Sequence, residues 1–130
     1  MKNDVANRGD IFKIVDTFYD IIRKDDLLGP IFNGQITEWE PHLQKITDFW
    51  DQILFNTKQY YGSPLEAHVK VDKAANYEIE PLHFGQWLFH WINTIDEYFN
   101  GVKADELKNQ ARKMQTVLYI KMFENKPEAK

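Results

Sequence analysis

Four histidines are the side chains of this sequence best suited to bind a metal ion or to transfer a proton: His42, His68, His83 and His90. No two of them are four residues apart, so no helix presents the paired histidines of a zinc protease. On a helix, His83 and His90 would lie about 10 Å apart along the axis, too far to share a metal whose bonds to nitrogen are about 2 Å long. From pattern alone we expect both to be ordinary helix residues.

His68 follows a short segment with strong helix-start signals. Ser63–Pro64–Leu65–Glu66 places serine at the cap, proline at the first helical position and glutamate at the third. A lone histidine among apolar neighbours is more often structural than a ligand, so the pattern leaves both roles of His68 open. His42 shares a predicted helix face with Ile46, and Tyr19 lies on an apolar face where a buried hydroxyl needs a partner.

No other group of residues suggests a catalytic arrangement. The acidic pairs Glu78/Glu80 and Asp96/Glu97 are neighbours in sequence only, as expected of solvated faces. The cysteine count is 0, which excludes disulfides, thiol nucleophiles, iron–sulfur clusters and cysteine-rich zinc sites. The glycines are scattered and form no phosphate-binding loop.

Length and composition predict one folded domain over residues 1–130, with flexible ends at 1–9 and 124–130. Hydrophobic residues make up 43% of the 130, and charged residues 28%. The net charge of −4 argues against nucleic-acid binding, and no apolar run is long enough for a membrane span. The first residues contain no export signal, so we expect a cytoplasmic protein. Aromatic residues make up 15%, enough to fill a core or to line a pocket for a large flat ligand.

Hydrophobic periodicity of the helical kind runs through nearly the whole chain and predicts an all-α fold of about five unequal helices. The first is capped by Asp10 and ends at 24–26 before Gly29–Pro30. The second ends near Phe55 and begins either at a capping box on Thr37 or at Pro41. The others follow Ser63, run from about Pro81 to Phe99, and run from about Ala104 to Phe123, with a predicted loop over 72–80.

Several short motifs also occur along the chain in a particular order. They are Phe18-Tyr19 with Arg23-Lys24-Asp25; Leu28-Gly29-Pro30-Ile31-Phe32; Trp39-Glu40-Pro41-His42 with Ile46 and Phe49-Trp50; Tyr61-Gly62-Ser63-Pro64-Leu65-Glu66-Ala67-His68; His83-Phe84 with Trp87-Leu88; and Thr94-Ile95-Asp96-Glu97 with Phe99 and Gly101. No single motif is specific. The ordered set, from about Ile11 to Met122, resembles the truncated haemoglobins of the third, bacterial group. That group lacks the Gly-Gly motifs of the first two, and so does this chain.

The resemblance implies a globin-like two-over-two helical sandwich around a b-type haem. His68 matches the family's proximal iron ligand, which is the metal-binding role that the pattern left open. Other matched positions surround the same haem. Tyr19, His42 and Trp87 match the polar positions on its distal side, Phe32 matches the aromatic packed on the macrocycle, and Ile46, Phe49 and Trp50 match the apolar wall. Lys45 is the candidate partner of a haem propionate.

The implied function is binding of O₂ and other small diatomic ligands such as NO at the histidine-bound iron. Several distal donors favour O₂ or NO chemistry, or detoxification, over bulk oxygen transport. Three alternatives stay open: a catalyst of NO dioxygenation or of peroxidase-like reactions that needs an external electron donor, a non-catalytic store or sensor, and a haem-free all-α interaction module. A red colour with a Soret band separates the last from the others.

Overall fold

A computed structural model describes residues 2–56 and 81–124. Within these ranges all regular structure is helical, which confirms the all-α prediction for this part of the chain. The helices are α1 (Arg8–Lys24), α2 (Gly29–Gln35), α3 (Trp39–Phe55), α4 (Pro81–Tyr98) and α5 (Val102–Glu124). The predicted helix after Ser63, the predicted loop over 72–80 and His68 lie outside the described residues.

The start of α1 lies earlier than predicted, because its cap is Asn7 and not Asp10. The Asn7 side chain accepts a hydrogen bond from the Asp10 amide (3.1 Å), and the Asp10 carboxylate accepts one from the Ala6 amide (2.8 Å). This reciprocal pair supplies side-chain acceptors to two amides at the helix start, where the Asp10 amide also lies 3.2 Å from the Asn7 carbonyl. Asp10 therefore contributes to the capping, but from inside the first turn.

The helix α2 was missed by sequence reasoning, which took Gly29–Pro30 only as the end of the preceding helix. Pro30 instead lies in the first turn of α2, where a missing amide hydrogen costs nothing. The start of α3 falls between the two predicted starts, at Trp39, with Glu38 at the cap position and Pro41 in the first turn. The end at Phe55 is as predicted.

The connection between α4 and α5 depends on the N-terminal segment, which was predicted to be part of a flexible end. The Asp4 carboxylate accepts hydrogen bonds from the amides of Lys103 and Ala104, both 2.9 Å, and so caps α5 two residues before its predicted start. Gly101 has φ +151°, and a Cβ there would lie 2.6 Å from Cβ of Asp4. Only glycine fits this close approach.

The described helices form two packed pairs, one stacked on the other. The helices α1 and α3 form one pair and α4 and α5 the other, while α1 also contacts α4 and α3 contacts α5. This arrangement confirms the two-over-two prediction. Apolar side chains from both pairs fill the shared core: Ile11, Ile14, Val15, Phe18 and Ile22 of α1; Leu43, Trp50 and Leu54 of α3; Trp91 and Ile95 of α4; and Ala104, Leu107 and Ala111 of α5.

A membrane-crossing helix is not found in the part of the chain that the structure describes. None of its helices combines the length and the apolar character that a bilayer span requires.

Candidate functional site

Tyr19, near the C-terminal end of α1, is the most buried of the predicted distal residues, with 6% of its surface exposed. Its ring lies edge-on to Phe18 of the same helix (centroids 4.9 Å apart) and to Phe32 of α2 (5.9 Å). Burial raises the pKa of the Tyr19 phenol far above its ordinary value. The hydroxyl therefore keeps its proton at any physiological pH and can donate a hydrogen bond.

His42, in the first turns of α3, lies directly against Tyr19. The two rings are 5.6 Å apart and nearly perpendicular, at 82°. Trp39, one turn earlier on α3, contacts both of them, at 5.7 Å from His42 and 5.8 Å from Tyr19. The Nε2 atom of His42 is shielded from solvent. A phenol and an imidazole, both able to donate hydrogen bonds, thus share one apolar surrounding.

Trp87 of α4 reaches the same region through Phe18, whose ring lies edge-on to Tyr19 on one side and to Trp87 (5.6 Å) on the other. Trp87 also stacks on Trp91 at 6.1 Å with 7° between the planes. Trp91 in turn stacks on Trp50 of α3 at 4.7 Å. The indole of Trp87 is therefore the outermost of a three-ring stack anchored in the core, and Phe18 separates it from the Tyr19–His42 pair.

A stripe of apolar side chains continues along α3 from His42. Ile46, Phe49 and Ile53 follow it at three- and four-residue spacing, and all are half-buried, as is Phe32 of α2. The neighbouring residues of α3 that face the core, such as Leu43 and Trp50, are buried. A flat, mostly apolar group such as a porphyrin fits this combination, because it could cover the stripe while its polar ligands meet the Tyr19–His42 pair.

Two residues that were predicted to contact haem lie outside the half-buried stripe. Trp50, which was matched to the apolar wall, is buried at 2% exposure and stacks on Trp91, inside the core behind the stripe. Lys45, the candidate propionate partner, is exposed on α3 beside the stripe. The predicted proximal ligand His68 lies outside the described residues, so its role stays a prediction, as do those of Trp50 and Lys45.

Trp39 is the residue of this region to which sequence reasoning gave no role. It was quoted in the motif Trp39-Glu40-Pro41-His42, and its place three residues before His42 was the available signal, because residues three apart share a helix face. Its outer side is covered by the Arg23 guanidinium, 4.5 Å from the ring centroid. The residues of this region are referred to below as the Tyr19 cluster: Tyr19, Phe32, Trp39 and His42.

Metal binding by protein side chains alone finds no support in residues 2–56 and 81–124. Nowhere in these ranges do three or more His, Asp or Glu side chains come together as a metal site. His83 lies at the start of α4, and His90 contacts Asp25, so the two histidines that the pattern assigned to ordinary helix positions do not meet.

Comparison with known proteins finds similarity to group III truncated haemoglobins in both sequence and structure. The chain is 36% identical over 114 residues to the group 3 truncated hemoglobin ctb of Campylobacter jejuni, with 84% of this chain and 82% of that protein covered. The crystal structure of the group III truncated hemoglobin from Campylobacter jejuni superposes with a TM-score of 0.81 and 27% identity, over 98% of this chain and all of the other. No family model matches the chain.

Proposed function

Because the chain belongs to the group III truncated haemoglobins, we propose that it holds a b-type haem and binds O₂ and other small diatomic ligands there. The observation that carries this proposal is the contact between the buried Tyr19 phenol and the His42 imidazole at the head of a half-buried apolar stripe. Apolar surface and buried hydrogen-bond donors are the two features that such a pocket needs.

The haem would be held by residues of this stripe together with residues outside it. Ile46, Phe49 and Phe32 would contact the macrocycle, with Trp50 packed behind them. Lys45 would lie near a propionate, and His68 would bind the iron. A haem held by one histidine supplies an iron whose sixth coordination position accepts a diatomic ligand.

Retention of that ligand would depend on the polar groups of the chain. The protonated Tyr19 hydroxyl can donate, the indole N–H of Trp87 can only donate, and His42 can donate or admit ligand by rotating. Hydrogen bonds to a partly charged ligand are worth about 1.5–3 kcal/mol each, and surroundings of low polarity strengthen them. Two such donors would slow O₂ release on the order of 10²-fold or more. Slow release suits O₂ or NO chemistry, or detoxification, better than bulk transport.

Haem binding itself is tested with His68→Ala, and His83→Ala serves as a matched control because the proposal gives His83 no role. We expect His68→Ala to lose most of the Soret absorbance per mole of purified protein, and His83→Ala to keep it. Wild-type haem content in His68→Ala would overturn the assignment of His68. A colourless wild-type protein that stays colourless when haem is added would overturn the proposal as a whole.

The role of Tyr19 is tested with Tyr19→Phe, which removes one hydroxyl from the cluster. Its control is Tyr98→Phe on α4, where the ring lies beneath Lys13 in the N-terminal half of α1. We expect O₂ dissociation, measured by stopped flow, to accelerate about tenfold or more in Tyr19→Phe and to stay unchanged in Tyr98→Phe. An unchanged rate in Tyr19→Phe would remove this residue from ligand retention.

Catalysis is distinguished from storage by mixing the O₂-loaded protein with NO and a supplied reductant. Repeated turnover would assign the NO dioxygenation alternative, with an external protein or small molecule as electron donor. A single stoichiometric reaction, with no turnover, would assign the role of a ligand store or sensor.

A further inference from the structure

The carboxylate of Asp25 joins three helices at the turn between α1 and α2. Its Oδ1 accepts hydrogen bonds from the amides of Leu27 (2.8 Å) and Leu28 (2.9 Å). Its Oδ2 accepts one from Nε2 of Gln86 (2.8 Å) and lies 2.7 Å from Nε2 of His90, both on α4. Only 9% of the Asp25 side chain and 16% of the His90 side chain are exposed. These three side chains, Asp25, Gln86 and His90, are called the Asp25 cluster below.

The proton positions in this cluster follow from donor chemistry. Nε2 of Gln86 can only donate, and it lies 3.3 Å from Nε2 of His90. Since both nitrogens lie within hydrogen-bond distance of the same carboxylate oxygen, the consistent assignment has both donating to Asp25. His90 therefore carries a hydrogen on Nε2, and its 3.3 Å distance to Gln86 is the spacing of two donors on one acceptor.

The Asp25 carboxylate stays ionised to low pH. Desolvation by burial alone would raise its pKa, but the hydrogen bonds from Gln86, His90 and the two backbone amides outweigh that cost, and the net pKa is well below the ordinary value of 3.8. A charged acceptor makes each of these bonds shorter and stronger than a neutral one. The link between the α1–α2 turn and α4 is therefore present throughout the physiological pH range.

The turn that carries Asp25 is itself held in place. The Asp25 amide donates to the carbonyl of Ile22 (3.1 Å), and the Gly29 amide donates to the carbonyl of Asp25 (2.8 Å). A Cβ on Gly29 would lie 2.8 Å from the carbonyl oxygen of Arg23, so the start of α2 can approach the end of α1 this closely only with glycine. The carboxylate is thus presented from a fixed backbone.

The two residues of α4 that bond Asp25 lie on either side of Trp87 in the sequence. Gln86 directly precedes Trp87, and His90 follows it by about one helical turn. The contacts of Trp87 with Phe18 and Trp91 are ring contacts, which allow sliding and rotation because dispersion and apolar burial have little directionality. Hydrogen bonds weaken steeply away from their preferred angle, so they resist such movement. The Asp25 cluster can therefore fix the register of α4 against the C-terminal end of α1.

We propose that Asp25, Gln86 and His90 form a positioning group that sets where the Trp87 indole lies relative to Tyr19, and through it how long a bound ligand is retained. These three side chains need not touch ligand or haem. The last step, ligand retention, rests on the proposed function, whereas the placement of Trp87 does not.

The test compares His90→Leu, which keeps an apolar body and loses the donor, with His90→Gln, which restores an amide donor at a similar reach. Asn93→Leu, at an exposed position on α4, controls for the added leucine. Asp4→Ala, whose hydrogen bonds are to the amides of Lys103 and Ala104 and not to Gln86 or His90, controls for a general loss of stability. Two properties are measured on the full chain: the ¹⁵N–¹H resonance of the Trp87 indole, assigned with Trp87→Phe, and the O₂ dissociation rate.

We expect His90→Leu to move the Trp87 indole resonance and to accelerate O₂ dissociation about threefold to tenfold, the loss of up to one hydrogen bond. His90→Gln should restore both properties to near wild-type values, and both controls should leave them unchanged. If His90→Leu does not fold, Gln86→Leu removes the other donor and carries the same expectation.

Unchanged indole resonance in both donor-deleting variants would overturn the proposal, and so would a folded His90→Gln that behaves like His90→Leu. A shift in Asp4→Ala as large as that in His90→Leu would also overturn it, because destabilisation alone would then explain the effect. Should wild-type protein bind no haem, the proposed function fails while the indole resonance still decides the positioning role.

Discussion

The two ends of α1 are held by the same kinds of side chain but border different surroundings. At its N-terminal end, Asp4 accepts hydrogen bonds from backbone amides, and Arg8 pairs with Asp48 of α3 where both side chains are about one-third exposed. At its C-terminal end, Asp25 bonds side chains of α4 beside Trp87, and Arg23 lies over the ring of Trp39.

This difference separates stability from function along one helix. Asp4 bonds the amides of Lys103 and Ala104 on α5, and Arg8 bonds Asp48 of α3, none of which belongs to the Tyr19 cluster, whereas Trp39 is itself part of that cluster. Substitution of an acidic or basic side chain at the N-terminal end of α1 should therefore change stability alone. Substitution of an acidic or basic side chain at the C-terminal end of α1 should change both stability and ligand binding.

The largest effect on stability is expected from Gly101→Ala, beside Asp4. An alanine would adopt an unfavourable backbone conformation and would force Asp4 away from the start of α5, with a combined cost of about 4 kcal/mol. Chemical denaturation measures this loss. Gly85→Ala is the control, because a Cβ there meets open space on a helix, and it should be neutral or stabilising by up to about 1 kcal/mol. Equal stability of the two variants would contradict the close packing around Gly101.

The sharpest test of the comparison sets Asp25→Ala against Asp4→Ala. Both remove a carboxylate from three or more donors, and we expect losses of about 3 and about 2 kcal/mol in unfolding free energy, because partly buried donors are left without an acceptor. Only Asp25→Ala should also change the O₂ dissociation rate. A rate change of the same size in Asp4→Ala would show that the two ends do not differ in function.

Acidification should destabilise the protein through both aspartates. Desolvation would raise their pKa values, but hydrogen bonds to backbone amides, and for Asp25 also to Gln86 and His90, lower both below the ordinary 3.8. A lowered pKa in the folded state means that the unfolded chain binds protons first, so this stabilisation is complete above about pH 5 and is lost progressively as the pH falls further. Unfolding free energy measured from pH 6 down to about pH 3 should fall less steeply in Asp25→Asn than in wild type.

The smallest effects are expected from the two arginines. Arg8→Gln and Arg23→Gln should each cost less than about 1 kcal/mol, because a partly exposed ion pair and an exposed cation–π contact are both weak. Arg23→Gln should in addition change the rate of ligand association by at most about twofold to threefold, since a contact worth less than about 1 kcal/mol is lost from Trp39, which packs against His42. Flash photolysis of the CO complex measures this rate. A larger change of the association rate in Arg8→Gln than in Arg23→Gln would contradict the expected difference between the two ends of α1.

The sequence by itself determined the fold class, the rough extents of the long helices and the family. Hydrophobic residues three and four apart predict helices whatever the rest of the chain does, since a helix repeats every 3.6 residues. The predicted ends were in error where the cap came from elsewhere. The start of α5 is set by Asp4, about a hundred residues away, and no local pattern records that contact. The helix α2 was missed because a Gly-Pro pair is read locally as a stop.

For the candidate site, the sequence supplied Tyr19, His42 and Trp87 only through a resemblance to known proteins, because a lone tyrosine, histidine or tryptophan on an apolar helix face has no distinguishing pattern. The tertiary structure decided which of them meet. It brings Tyr19 against His42 and places Phe18 between Tyr19 and Trp87. It also places Trp39 and the Asp25 cluster beside them. These contacts join α1 to α3 and to α4. They depend on the angles at which the helices cross. These angles are set by packing between residues far apart in the chain, and the hydrophobic period of a single helix carries no information about that packing.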